Sequence, residues 1–130
     1  MTRDQFITEK VLRKCWHERQ ANLWEGCKKC GATLTDLPWG DGRYISIENL
    51  NPNYSTSPAD ILALQQLVMG ADWWKKFGDF CYYKHHTWSN VRKWINTPDY
   101  TKWLFSDPDR FATLVATFGV EVLKLEGWKP

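Results

Sequence analysis

The sequence predicts an α/β (α+β) fold, a small sheet layered with helices in a single domain over 1–130. Three observations lead there. Three segments place apolar residues at helical spacing behind recognisable start signals, several shorter ones alternate with the period of a strand, and a Cys/His cluster lies between the first helix and the rest. A chain of 130 residues is the size of one domain and buries roughly two-thirds of its unfolded surface.

The first helix is predicted over 3–15. Thr2 and Gln5 match a capping box, and Phe6, Ile7, Val11, Leu12 and Cys15 recur on one face. From Trp16 to Pro38 the helical pattern stops and Gly26 and Gly31 enter, which predicts an irregular, metal-organised segment. Trp39 to Arg43 reads as a turn, Tyr44 to Ile47 as a short strand, and Asn49 to Ser57 as a polar loop. Ser57-Pro58-Ala59-Asp60 starts a second helix, with Ser as cap, Pro at the first helical position and an acid facing the helix dipole. Its expected buried stripe is Ile61, Leu64, Leu67 and Val68, with Gly70 as terminator and a further turn from Asp72 to Phe77.

Cys81 to His86 and Trp88 to Ile95 read as two strands. Ser106-Asp107-Pro108-Asp109 repeats the helix-start chemistry, and Phe111, Leu114, Val115 and Phe118 follow on one face up to Gly119. Beyond it Val120 and Val122 alternate like a strand, while Leu123 and Leu125 fit a strand or a helical tail.

Charge narrows the partners. Seventeen Lys and Arg against fifteen Asp and Glu give +2, and a pI near 8.3 falls short of the signature of a dedicated DNA-binding domain. Lys28-Lys29, Lys75-Lys76 and Arg92-Lys93 are isolated pairs that read as solvated faces. Charges at Arg3, Asp4, Glu9 and Lys10 exclude an apolar secretory leader, and the longest weakly polar stretches, 61–71 and 111–120, reach about half the roughly twenty residues of a membrane span. The expectation is a cytoplasmic protein without membrane association, whose thiols stay reduced and available for metal.

The sharpest chemistry is Cys15-Trp16-His17 followed by Cys27-Lys28-Lys29-Cys30-Gly31. Zn²⁺ favours tetrahedral thiolate and imidazole ligands, and a two-residue gap between cysteines lets one tight turn aim both sulfurs at one ion. Cys15, His17, Cys27 and Cys30 are therefore the predicted ligands of a structural zinc, closed because four protein donors leave no water position. The intervening lysines are expected to offset the excess charge of three thiolates. Residues two apart lie on different helix faces, so the first helix must end where Cys15 and His17 turn to the same ion. The alternative is a set of reduced cysteines packed as small apolar residues. Cys81 with His85 and His86 forms a far less specific second candidate.

The opening Met1-Thr2-Arg3-Asp4 helix with its Cys/His cluster, the Asn51-Pro52-Asn53-Tyr54-Ser55-Thr56-Ser57-Pro58-Ala59-Asp60 segment and Asp107-Pro108-Asp109-Arg110-Phe111-Ala112 together resemble small bacteriophage and prophage proteins carrying the phage ABA-sandwich domain. The resemblance implies helices layered on a small antiparallel sheet, in an accessory protein of the host cytoplasm with no catalytic residue set.

Nine tryptophans are the compositional outlier. Trp73, Trp74, Trp88, Trp94 and Trp103 lie beside cationic residues and are candidates for base stacking or a protein interface, against the plainer alternative of core packing. The candidate contact set is Trp73, Trp74, Lys75, Arg92, Lys93 and Trp94. Adjacent tryptophans at 73 and 74 are not expected to share one core face. The function expected is a non-enzymatic phage accessory protein that binds a host protein or a small signalling ligand to counter host defence. The alternative is a zinc-supported nucleic-acid-binding protein using Lys28, Lys29, Arg92 and Lys93 on phosphates. An enzyme with His85 or His86 as general base lacks an accompanying nucleophile, phosphate loop or carboxylate pair.

Overall fold

The computed structural model describes residues 1–18, 27–31, 51–85 and 98–130, and within them every extended regular element is a helix. These are α1 (Arg3–Phe6), which runs on into a π-helical stretch (Ile7–Val11), then α2 (Pro58–Met69), α3 (Trp74–His85), α4 (Pro98–Phe105) and α5 (Pro108–Glu121). The expected α/β sandwich is therefore overturned. Of its strand at Cys81 to His86, the described residues 81–85 are the end of α3, and its strand at Val120 to Val122 is the end of α5 and its cap. The expected strands at 44–47 and 88–95, and the turn at 39–43, lie outside the described residues.

α5 is the organising element. Asp107 caps it by accepting the Arg110 N–H at 3.2 Å, and Pro108 occupies the first turn. Phe111, Leu114, Val115 and Phe118 are buried as the spacing predicts, but so are Ala112, Ala116, Thr117 and Gly119. A helix buried on this many sides is a central one, and α1, the π stretch, α3 and α4 all pack on it. Phe77 meets Phe111 and Phe118 edge to face, and Phe80 meets Phe118 likewise.

Gly119, expected as a terminator, instead sits where α5 meets the N-terminal helix. A Cβ there would lie 2.9 Å from Val11 Cγ2 and 3.1 Å from Phe6 Cε1, so only glycine permits this approach. The helix stops later. Lys124 takes a left-handed φ of 57°, and the Leu125 N–H reaches back to the Gly119 carbonyl at 2.9 Å. The chain then returns over the N-terminus, where Trp128 stacks on Phe6 with ring centroids 6.0 Å apart.

The first helix is capped as expected, with the Gln5 N–H donating to Thr2 Oγ1 at 3.2 Å, but it ends near Leu12 rather than Cys15. Arg13 adopts a left-handed φ of 54°, and the Lys14 N–H bonds the Thr8 carbonyl at 2.7 Å. This frees Cys15 to Glu18 from helical geometry.

α2 starts behind Ser57 and ends at Gly70, as the sequence predicts, although the Ser57 side chain makes no capping bond. Of its expected stripe, Leu64 and Val68 are buried, Ile61 is half-buried and Leu67 is exposed. Among the described residues, no helix is long and apolar enough to cross a membrane.

Candidate metal centre

The left-handed turn at Arg13 ends the first helix and leads into an irregular segment that carries Cys15 and His17. Opposite it, Cys27 to Cys30 forms a tight turn that Gly31 closes, with φ +77° and its N–H on the Cys27 carbonyl at 2.9 Å. The two segments are joined by the Lys28 N–H donating to the Glu18 carbonyl at 3.0 Å. Cys15, His17, Cys27 and Cys30 thereby converge, with their donor atoms all within 4.8 Å of one another. Sγ of Cys15 lies 3.7 Å from Sγ of Cys27, and Sγ of Cys30 lies 3.4 Å from Nδ1 of His17. The four predicted ligands thus form one cluster able to hold a metal ion.

The cluster is graded in exposure: Cys27 is buried, Cys15 and His17 are half-buried, and Cys30 is exposed. Its charge is equally uneven. Burial opposes ionisation of Cys27, yet the backbone N–H groups of Cys30, Glu18 and Lys29, with the His17 side chain, hold its thiol down at about 5. Two of those donors lie 3.4 Å (Glu18) and 3.3 Å (Lys29) from its sulfur. For Cys15, burial and hydrogen bonding to the Cys30 and Cys27 sulfurs push the thiol up to about 12. A Cys27 thiolate beside a protonated Cys15 thiol is an arrangement expected of a metal-binding cluster in its metal-free form, since like charges at this separation repel.

The surroundings hold the donors in place. Asn51 clamps the His17 backbone from both sides, with Oδ1 accepting its N–H at 2.6 Å and Nδ2 donating to its carbonyl at 2.9 Å. Lys29 Nζ bridges Glu9 at 2.6 Å and Glu18 at 3.0 Å, tying the knuckle to the π stretch, and Lys28 reaches Glu18 at 3.8 Å. The two carboxylates raise the Lys29 ammonium above its ordinary range. The expected role of the lysines is therefore modified: the Lys29 ammonium answers two carboxylates, while its backbone N–H faces the sulfur. Asn51, Glu9 and Glu18 were not foreseen, because no local spacing links a residue in the first helix or the polar loop to a knuckle far along the chain.

The other candidates are placed differently. Trp73 lies against Phe118 with centroids 5.0 Å apart, and Trp74 stacks on Phe77 at 6.0 Å, so both half-buried rings contribute to one core cluster. Lys75 is exposed. The Arg110 guanidinium covers the Trp103 ring at 4.4 Å and also donates to the Trp103 carbonyl. Cys81 is fully buried in the hydrophobic core of α3. Trp88, Arg92, Lys93, Trp94 and His86 lie outside the described residues. No protein-family model, curated protein or solved structure matches the chain.

Proposed function

We propose that Cys15, His17, Cys27 and Cys30 form a closed tetrahedral zinc site of the structural kind, in a small helical protein that acts by binding rather than by catalysis. The observation that carries this reading is the donor spacing. Tetrahedral Zn²⁺ with its usual bond lengths sets two sulfurs about 3.8 Å apart and a sulfur and a nitrogen about 3.6 Å apart. The cluster has 3.7 Å and 3.4 Å for those pairs.

Donor chemistry supports the same ion. Three thiolates and one imidazole suit Zn²⁺ over Mg²⁺ or Ca²⁺, which take oxygen ligands. Four protein donors fill the coordination sphere, so the site has no position for an activated water. Zinc would fasten the 27–31 turn to the end of the first helix, and its binding free energy would add to folding. Binding to a host protein or a small signalling ligand, as a phage accessory protein, is the wider role we propose, supported by the short-motif resemblance, the small size and the excess of aromatic residues. The zinc reading does not depend on it.

Metal analysis of protein purified without chelator tests the reading. One zinc per chain is expected, with Cys27→Ser reducing it to background. Protein that carries no zinc and takes none up on titration refutes it.

A further inference from the structure

A cleft of about 310 Å³ opens between the end of the first helix and α2, with Cys15 and His17 in one wall and Leu67 in the other. Leu12, Leu64 and Tyr54 also line it, and the Tyr54 hydroxyl is already satisfied by Thr8 Oγ1 at 2.9 Å. That hydroxyl therefore makes no further demand on an occupant. Leu67 lines the cleft and is 39% exposed, so this side of α2 has apolar surface to cover.

The cleft also includes one group of each charge. Lys14 is exposed and makes no side-chain ion pair or hydrogen bond among the described residues. Asp60 uses Oδ2 to accept the Asn53 N–H at 3.0 Å, and its other oxygen has no partner among the described residues. An occupant with an apolar body, an anionic group for Lys14 and a cationic group for Asp60 is complementary to all of these features. The volume is at the small end of ligand sites, which run roughly 300–1,000 Å³.

We propose that this cleft binds a free α-amino acid with a branched or aromatic side chain: carboxylate at Lys14, ammonium at Asp60, and side chain against Leu12, Leu64 and Leu67. The site lies beside the metal centre and shares its wall, so the test uses protein whose zinc content has first been measured. A failure of the zinc reading is then seen separately from a failure of this one.

Leucine and phenylalanine are titrated into isotope-labelled full-length protein and followed by amide and methyl shifts. Isocaproate, which lacks the ammonium, and isoamylamine, which lacks the carboxylate, serve as comparison ligands. Saturable shifts at Leu12, Leu64 and Leu67 are expected, weakened by about tenfold or more in each comparison ligand and in Lys14→Met and Asp60→Asn. The comparison ligands keep the test valid if a variant fails to fold. Absence of saturable shifts up to about 10 mM, or binding equally strong for isocaproate and isoamylamine, overturns the proposal.

Discussion

At the scale of single residues, the metal centre turns on how one sulfur is held. Cys27 sits at the focus of backbone N–H groups, so its folded thiol value is about 5 against an ordinary value of 9. A depressed value means that ionised Cys27 stabilises the metal-free fold fully above the unfolded value of about 9, and that this contribution is lost as pH falls through about 5. Cys15 works in the opposite sense. Its raised value contributes stability below the unfolded value, which is lost as pH rises through about 12. Thiolate absorbance of the metal-free protein should show one ionisation near pH 5 that disappears in Cys27→Ser. Thiols that all ionise together above pH 8 would contradict this. Asn51 fixes the His17 backbone by two hydrogen bonds. Asn51→Ala should weaken zinc affinity by about 10–100-fold in a chelator competition, the range expected for outer partners of metal ligands.

At the scale of elements, Gly119 separates two accounts of α5. In a solvated helix Gly→Ala stabilises by about 1 kcal/mol, whereas forcing a methyl into a packed core costs about 1–3 kcal/mol. The Phe6 ring and Val11 side chain stand within 3.1 Å of the missing Cβ, so urea denaturation of Gly119→Ala should show a net loss of about 1 kcal/mol or more. A gain would mean that the α1–α5 contact is looser than described. The same glycine explains what the sequence did and did not reveal. Start signals at Ser57-Pro58 and Asp107-Pro108 were legible because capping is local chemistry. Glycine is ambiguous, since it ends helices and also lets them pack closely. Closing one turn at Phe77 and the last helix at Gly119 detached Cys81 and Val120 from their helices and left fragments that read as strands. Restoring Gly78 to the interior of α3 puts Phe77, Phe80 and Cys81 at helical spacing, all buried. α4 carries its own start signal in Pro98 and Asp99, but the aromatic residues that follow give it no clear helical period.

At the scale of the whole molecule, two polar ties add to the packing that holds the N-terminal helix to the rest. One is Arg3, whose guanidinium reaches Asp109 at 2.6 Å, Ser55 at 2.5 Å and Thr113 at 3.2 Å, while Asp4 accepts from its Nε at 3.0 Å. Asp4 in turn accepts the Tyr54 N–H at 3.2 Å. Arg3→Met keeps most of the side-chain volume and removes these bonds, so it should lower stability by about 1–3 kcal/mol in urea denaturation. A variant as stable as the parent would show that the tie is incidental. The pH dependence follows the same pair. Hydrogen bonds from Arg3 and Ser55 lower the Asp109 value, so its contribution is present above the ordinary carboxylate range and fades as pH falls through the depressed folded value.

The second tie is the Cys15, His17, Cys27 and Cys30 cluster. Its four residues were legible as a group because Cys-x-His and Cys-x-x-Cys spacing is local, whereas its anchoring to Glu9 and Asn51 depends on the fold. Cobalt substitution tests the central claim most directly, because the visible spectrum of Co²⁺ reports coordination geometry and thiolate ligation together. The protein should bind one equivalent with the intense visible bands of a tetrahedral, thiolate-rich site, and zinc should displace it one for one. The weak spectrum of an octahedral ion, or bands that survive unchanged in Cys15→Ser and Cys27→Ser, would contradict the four-ligand centre.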